Sequence, residues 1–157
     1  MNKNKSFGTS LKCAAKGLIK PFITERNMRI HFSFANLIIV FAKFYGIGKS
    51  EWAVLLLTIG LVITAELVNT AVENAVDTAT AEISETARIA KDTAAGAVLF
   101  AAFISVIVGC FLFLDIQKIH SALEAVFSTP STYLPCIALG TADLLFIILG
   151  GKIKLKL

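Results

Sequence analysis

Four long apolar runs, separated by short polar segments, dominate the sequence. They cover residues 30–48, 52–65, 94–114 and 133–150. The third run carries no charged residue and is long enough for a helix to cross the hydrocarbon core of a bilayer. We interpret the fourth, which contains Asp143, as a further crossing rather than an interfacial or re-entrant segment. The pattern predicts an all-α integral membrane protein with three transmembrane helices and a fourth near the C-terminus.

A shorter amphipathic segment precedes these runs. Within residues 6–19, apolar side chains such as Phe7 and Leu11 recur at helical spacing, and Lys12 falls on another face. This spacing predicts a helix that lies on the membrane surface, and the alternative is a disordered basic tail. Pro21 is expected to end this helix or to begin the next one.

Two polar segments connect the later runs. Residues 77–92 are expected to form a loop or helical turn outside the membrane, and residues 115–132 a weakly amphipathic connector in which His120 faces solvent. We therefore divide the chain into a membrane domain at residues 1–114 and a C-terminal extension at residues 115–157.

The composition excludes most soluble classes of protein. Hydrophobic residues make up 56% of the chain and charged residues 17%, and the mean hydropathy is +0.77. These values are typical of membrane proteins rather than of soluble domains. The buried charge of Asp143 would be costly against lipid, so we expect its side chain to face protein.

The distribution of basic residues predicts the orientation. With four crossings, both termini and residues 77–92 lie on one side of the membrane, and that side holds most of the lysines and arginines. The positive-inside rule places it in the cytoplasm.

Polar side chains follow the second apolar run along one helix face. Glu66, Asn69, Glu73 and Asp77 fall within an arc of about 80°, and Thr70 borders it. A charge near the centre of a bilayer costs about 2.5–3.5 kcal/mol on insertion scales, so these acids need partners. Metal ions or a reacting group are the expected ones.

The depth of two acids follows from the length of the run before them. Residues 52–65 span about 21 Å as a helix, which is too short to cross a core of about 30 Å. Glu66 is therefore expected inside the core or at its inner edge, and Glu73 about 10 Å further along, near the polar boundary. Such a pair suits an enzyme whose two substrates come from different phases.

Glu25 is a further candidate, located just before the first apolar run. It stands four residues ahead of Arg29, which is the spacing of an ion pair on a helix surface. The carboxylate could instead add to a cation site at the membrane boundary. The spacing alone is compatible with both interpretations.

The segment ELVNTAVENAVD, preceded by TERNMRIH and followed by ARIAKDTAAGAVL, resembles the bacterial integral-membrane diacylglycerol kinase family. The sequence of these segments is most similar to that of the Gram-positive branch, whose members act as undecaprenol kinases. The resemblance covers about residues 6–114. It implies a homotrimer in the bacterial cell membrane, with active sites between subunits at the cytoplasmic side, which uses ATP and Mg²⁺ to phosphorylate a lipid alcohol. It implies no nucleic-acid partner.

The resemblance also implies roles for individual residues. Glu66 would be the base that takes the proton from the lipid hydroxyl, and Asn69 would orient the hydroxyl or the base. Glu25 and Glu73 would hold magnesium against the ATP phosphates. Magnesium is commonly bound by one or two carboxylates together with phosphate oxygens, which agrees with this assignment.

The remaining implied contacts are with the nucleotide. Lys91 and Asp92 match a Lys-Asp pair that contacts it, and Glu82 matches an acid in the loop around ATP. The chain departs from the family pattern at Cys13, where a tyrosine is usual, and at residues 83–84, where a Tyr-His pair is frequent. These departures put the affinity or preference for the nucleotide in question.

We therefore interpret the sequence as an integral-membrane lipid kinase with undecaprenol as the acceptor. Diacylglycerol is the alternative acceptor. A hypothesis of another class is a small transporter or channel subunit in which Glu66 and Asp143 carry ions. The absence of charge from the third apolar run disfavours an ion path across the whole bilayer.

Overall fold

The computed structural model describes residues 6–79 and 84–152, and all of its regular elements are helices. The predicted all-α architecture is confirmed. The helices are α1 (Phe7–Thr24), α2 (Arg26–Tyr45), α3 (Lys49–Ala79), α4 (Glu85–Phe113), α5 (Ile116–Phe127) and α6 (Pro130–Leu149), followed by a 3₁₀ turn (Gly150–Lys152).

Three of the helices are long and apolar enough to cross a membrane, namely α3, α4 and α6. Helix α6 is the predicted C-terminal crossing. Helix α2 was predicted as the first crossing. It has 20 residues, which is long enough, but it is not among the three helices that are also apolar enough. Its apolar sequence is interrupted by polar side chains that include Arg29, Asn36 and Lys43.

The boundaries of the first two helices differ from the sequence prediction at Pro21. Helix α1 continues through this proline, which is buried, and ends at Thr24. Ser6 caps its N-terminus, where the serine hydroxyl accepts a hydrogen bond from the backbone amide of Thr9. The prediction that Pro21 ends α1 or begins α2 is therefore wrong. The two helices instead meet at Glu25, which has an extended backbone.

Helices α3 and α4 pack against each other along their lengths, whereas α2 packs against α3 on one side and against α5 and α6 on the other. A small apolar cluster closes the end of the molecule where α2 turns into α3. Tyr45 of this cluster accepts a hydrogen bond from the amide of Asp115, which ties the start of α5 to the end of α2. The buried members of the cluster are Ala42, Tyr45, Ile47, Leu55 and Ala122.

The C-terminal extension is more ordered than the expected connector. Residues 116–127 form a complete helix, α5, whose Ala122 is 1% exposed within the cluster. The predicted exposure of His120 is confirmed, since its side chain is 75% exposed and lies 3.4 Å from Glu124. The phenylalanines of α4, in contrast, remain exposed along much of its length, as expected for a helix that contacts lipid or other subunits.

Candidate active site

The polar face of α3 is buried in its middle third. Glu66 is 2% exposed, and Asn69 and Thr70 are each 6% exposed. Because they stand three and four residues from Glu66, the three side chains share one side of the helix. The hydroxyl of Thr70 donates to the carbonyl oxygen of Glu66 at 3.0 Å, so it is satisfied by its own helix. The polar groups available for other partners are therefore those of Glu66 and Asn69.

Asn69 connects this buried group to the next acid along the helix. Its amide Nδ2 donates to Oε1 of half-buried Glu73 at 3.1 Å. Oδ1 of Asn69 and Oε2 of Glu66 are left buried without a hydrogen-bond partner in the described part of the chain. Leaving a buried polar atom unpaired costs about 1–3 kcal/mol, and such atoms in native structures need an explanation. A ligand hydroxyl, which has a single hydrogen to donate, would satisfy one of these two oxygens.

Glu25 occupies the corner between α1 and α2, and it is half-buried. The hydroxyl of Thr24 donates to its Oε1 at 2.9 Å. Arg29 does not pair with it among the described residues, because its guanidinium donates to two backbone carbonyls, those of Ile23 at 2.7 Å and Ile147 at 3.4 Å. The spacing of Glu25 and Arg29 therefore does not form the surface ion pair that was one of its two interpretations. Within the described residues, this carboxylate accepts a side-chain hydrogen bond at Oε1 alone.

The corner at Glu25 faces the side of α3 that carries Thr70 and Asn74. A cleft of about 320 Å³ separates the end of α1 from α3 at this point. Its polar lining consists of Lys20, Thr24, Glu25, Thr70 and Asn74.

The ends of α3 and α4 are joined by an ion pair that the sequence did not indicate. Nζ of Lys91 donates to Oδ1 of Asp77 at 2.8 Å. No helical periodicity relates these residues, because they lie on different helices. Asp92 is exposed beside this pair. Glu82, the other residue implied to contact the nucleotide, lies outside the described residues.

The acids do not form a complete metal-binding cage by themselves. Over residues 6–79 and 84–152, no group of three or more His, Cys, Asp or Glu side chains is placed to hold a metal ion. Glu25 and Glu73 nevertheless offer carboxylate oxygens, the donor type that Mg²⁺ accepts when phosphate oxygens and water supply the remaining ligands. This donor set fits magnesium brought in with a nucleotide.

An apolar groove lies on the membrane side of these acids. It has a volume of about 330 Å³ and runs between α2, α3 and α4. Val62 and Ile63, in its wall, stand one helical turn before Glu66. Its other lining residues include Phe34, Ile38, Ile59 and Val106, with hydroxyls from Thr58 and Ser105.

Comparison with known proteins gives a consistent picture. The family model for prokaryotic diacylglycerol kinase matches residues 12–113. An undecaprenol kinase of Bacillus subtilis (strain 168) is 36% identical over 113 residues, which are 72% of this chain and 92% of the relative. A diacylglycerol kinase of Synechocystis sp. (strain ATCC 27184 / PCC 6803 / Kazusa) is 46% identical over 105 residues, which are 66% of this chain and 60% of the relative. No solved structure is a significant match.

Proposed function

The chain belongs to the prokaryotic diacylglycerol kinase family and is a membrane lipid kinase, and we propose that it transfers the γ-phosphate of ATP to the hydroxyl of undecaprenol. The observation that carries this proposal is a pair of buried oxygens on one face of α3, Oε2 of Glu66 and Oδ1 of Asn69, neither of which has a hydrogen-bond partner among the described residues. The hydroxyl of a lipid would donate its single hydrogen to Glu66 at the inner edge of the hydrocarbon core.

In the proposed reaction, Glu66 removes the proton of the lipid hydroxyl. The hydroxyl oxygen forms a bond to the γ-phosphorus, the bond from that phosphorus to the β,γ-bridging oxygen breaks, and ADP leaves. Phosphoryl transfer needs little covalent help from the protein beyond positioning and electrostatic stabilisation. Asn69, held by its hydrogen bond to Glu73, would orient the hydroxyl for attack.

Glu25 and Glu73 are the proposed magnesium ligands. Bound magnesium would neutralise charge on the phosphate oxygens. The proposal is supported by the place of Glu25 in the cleft against α3 and by the hydrogen bond that joins Glu73 to Asn69. Lys91, Asp92 and Glu82 are proposed to contact the nucleotide, with Asp77 orienting the ammonium group of Lys91.

The apolar groove between α2, α3 and α4 is proposed to hold the hydrocarbon of the acceptor, because it ends one turn before Glu66. Undecaprenol is preferred because the relative named undecaprenol kinase is matched over 92% of its length. Diacylglycerol remains the second candidate, since the relative named diacylglycerol kinase has the higher identity, 46%. The transporter or channel hypothesis is not favoured by these relatives.

We further propose a homotrimer in the bacterial cell membrane, with the N-terminus and the active site in the cytoplasm. Exposed phenylalanines on α4, at positions 100, 103 and 111, provide surface for such contacts. The basic residues concentrated on one side of the crossings support this orientation.

The test is phosphate transfer from radiolabelled ATP, with magnesium, to undecaprenol or diacylglycerol in parallel mixed micelles. We expect preferential labelling of undecaprenol, with labelling lost in Glu66→Gln and strongly reduced in Glu73→Gln. Glu124→Gln serves as the matched control, because this acid is exposed on α5. Preference for diacylglycerol would replace the acceptor, and no labelling of either lipid by the folded protein would overturn the proposal.

A further inference from the structure

The C-terminal extension contacts the corner that carries Glu25. Helix α6 packs along α2, and the turn after it also contacts α1. Arg29 is central to this contact. Its guanidinium donates to the carbonyl of Ile23, two residues before Glu25, and to the carbonyl of Ile147 in α6. The side chain is 5% exposed. One buried cation therefore connects the end of α1 with the end of α6.

An aromatic contact spans the same three helices. The ring centroid of Phe32 in α2 lies 5.2 Å from the ring centroid of Phe22 in α1 and 6.4 Å from that of Phe146 in α6. Both pairs have edge-to-face geometry. Further along the same interface, Nδ2 of Asn36 donates to Oδ1 of Asp143 at 3.1 Å. Polar and aromatic contacts thus fix the register of α6 on α2.

Gly150 and Gly151 bring the chain after α6 directly onto Arg29. A Cβ atom added at Gly150 would lie 2.5 Å from Cδ of Arg29, and one added at Gly151 would lie 3.3 Å from its Nη2. The backbone of Gly150 is itself helical, so close packing rather than an unusual conformation makes the glycine necessary. The guanidinium group is consequently held from the C-terminal side as well as from α1.

We propose that the C-terminal extension positions Glu25, with Arg29 as the positioning residue through which α6 sets the corner between α1 and α2. This inference rests on the proposed role of Glu25 as a magnesium ligand. Residues that orient a metal ligand typically change metal affinity by about 10–100-fold when they are removed. The extension lies outside residues 12–113, which the family model matches, so this chain adds a support to its own site.

The decisive comparison uses two alanine substitutions in α6 and its end. Gly150→Ala places a methyl group against Arg29, whereas the methyl group of Gly140→Ala, within α6, meets nothing within 4 Å. We expect Gly150→Ala to raise the KM for magnesium–ATP about tenfold, with the KM for the lipid unchanged. Gly140→Ala should match the wild type in both. Amide hydrogen exchange of residues 21–29, measured on the full chain in micelles, should rise only in Gly150→Ala.

Arg29 is tested in the same way. Arg29→Gln should reproduce the rise in KM for magnesium–ATP, and Arg29→Lys should recover it only in part, because a single ammonium group cannot reach both carbonyls as the guanidinium fork does. Wild-type KM values in both Gly150→Ala and Arg29→Gln, or a uniform loss of kcat with no change in KM, would overturn the proposal. So would faster exchange at residues 21–29 without any change in the magnesium–ATP requirement.

Glu25→Gln separates this inference from the proposed function. A raised magnesium requirement in Glu25→Gln together with wild-type behaviour of Gly150→Ala would leave the function intact and remove the role of the extension. A wild-type magnesium requirement in Glu25→Gln would instead remove Glu25 from the metal site, and the positioning claim with it.

Discussion

Two interfaces of this molecule each bury an acid beside an asparagine, and they use the pair differently. Between α2 and α6, Asn36 donates to Asp143 across the interface at 3.1 Å. On α3, Asn69 donates away from Glu66, to Glu73 of its own helix. Asp143 is 7% exposed and Glu66 2% exposed, so burial alone does not distinguish them. Among the described residues, each acid has one buried oxygen without a partner. The difference is that Asn36 joins Asp143 to another helix, whereas Asn69 gives no hydrogen bond to Glu66.

The largest expected effect is at Glu66. Glu66→Gln keeps the shape of the side chain but removes its basicity, and we expect kcat to fall about 10²–10⁴-fold, the range for loss of a general base. Unfolding in detergent should be no easier than for the wild type, because the substitution removes a buried charge. Phosphate transfer at saturating substrates measures the first expectation and circular dichroism during heating the second. A wild-type kcat in Glu66→Gln would show that Glu66, like Asp143, has no part in the reaction.

The next effect is at Glu73, which links Asn69 to the proposed metal site. Glu73→Gln should reduce kcat/KM for magnesium–ATP about 10²-fold, since one charged ligand of the phosphate cation is lost. Raising the magnesium concentration should restore part of the activity. The titration is run beside Glu124→Gln, whose exposed acid lies outside the site. Equal magnesium curves for the two variants would exclude Glu73 as a ligand.

Asp143 should affect stability more than chemistry. Asp143→Leu leaves the half-buried amide of Asn36 without its acceptor and should lower the free energy of unfolding by about 0.6–1.7 kcal/mol, as for other hydrogen bonds between membrane helices. Adding Asn36→Leu should recover most of this loss, because neither polar group then remains unpaired. Unfolding by denaturant in micelles measures both variants. A double variant less stable than Asp143→Leu would show that the pair is not coupled in this way.

The smallest effect is expected at the ion pair of Lys91 and Asp77. Both side chains are exposed, so water can solvate each of them when the other is removed. Asp77→Asn should leave the unfolding midpoint unchanged, since exposed ion pairs contribute little. If Asp77 orients Lys91 toward the nucleotide, the KM for ATP should rise about twofold to fivefold, the size of effect typical of an exposed charge pair. An ATP titration at fixed magnesium excess measures it, and an unchanged KM would exclude the orienting role.

The sequence predicted the features that depend on local periodicity. The helices, the common face of Glu66 and Asn69, and the protein-facing side chain of Asp143 all follow from spacing and from the cost of charge in lipid. The contacts that distinguish the two interfaces could not be predicted in this way. Asn36 and Asp143 are separated by 107 residues, and helical periodicity says nothing about which helix packs against which face.

The corner at Glu25 illustrates the same limit. The spacing between Glu25 and Arg29 was compatible both with an ion pair and with a Glu25 carboxylate that does not pair with Arg29. The outcome is decided by carbonyl oxygens of Ile23 and Ile147, and backbone acceptors leave no signature in residue identity. Likewise, Pro21 was expected to break the helix, but a buried position within α1 accommodates it. Tertiary packing overrides local preference at both positions.

Helix α3 has one further consequence, which concerns bilayer thickness. It is a single unbroken helix of 31 residues, so the axial distance between residues 66 and 73 is fixed at about 10 Å. A thinner or thicker membrane shifts both acids together relative to the headgroups and cannot adjust one alone. The depth of Glu66 is therefore set by α3 as a whole, and in the proposed mechanism the acceptor hydroxyl has to reach that depth to react.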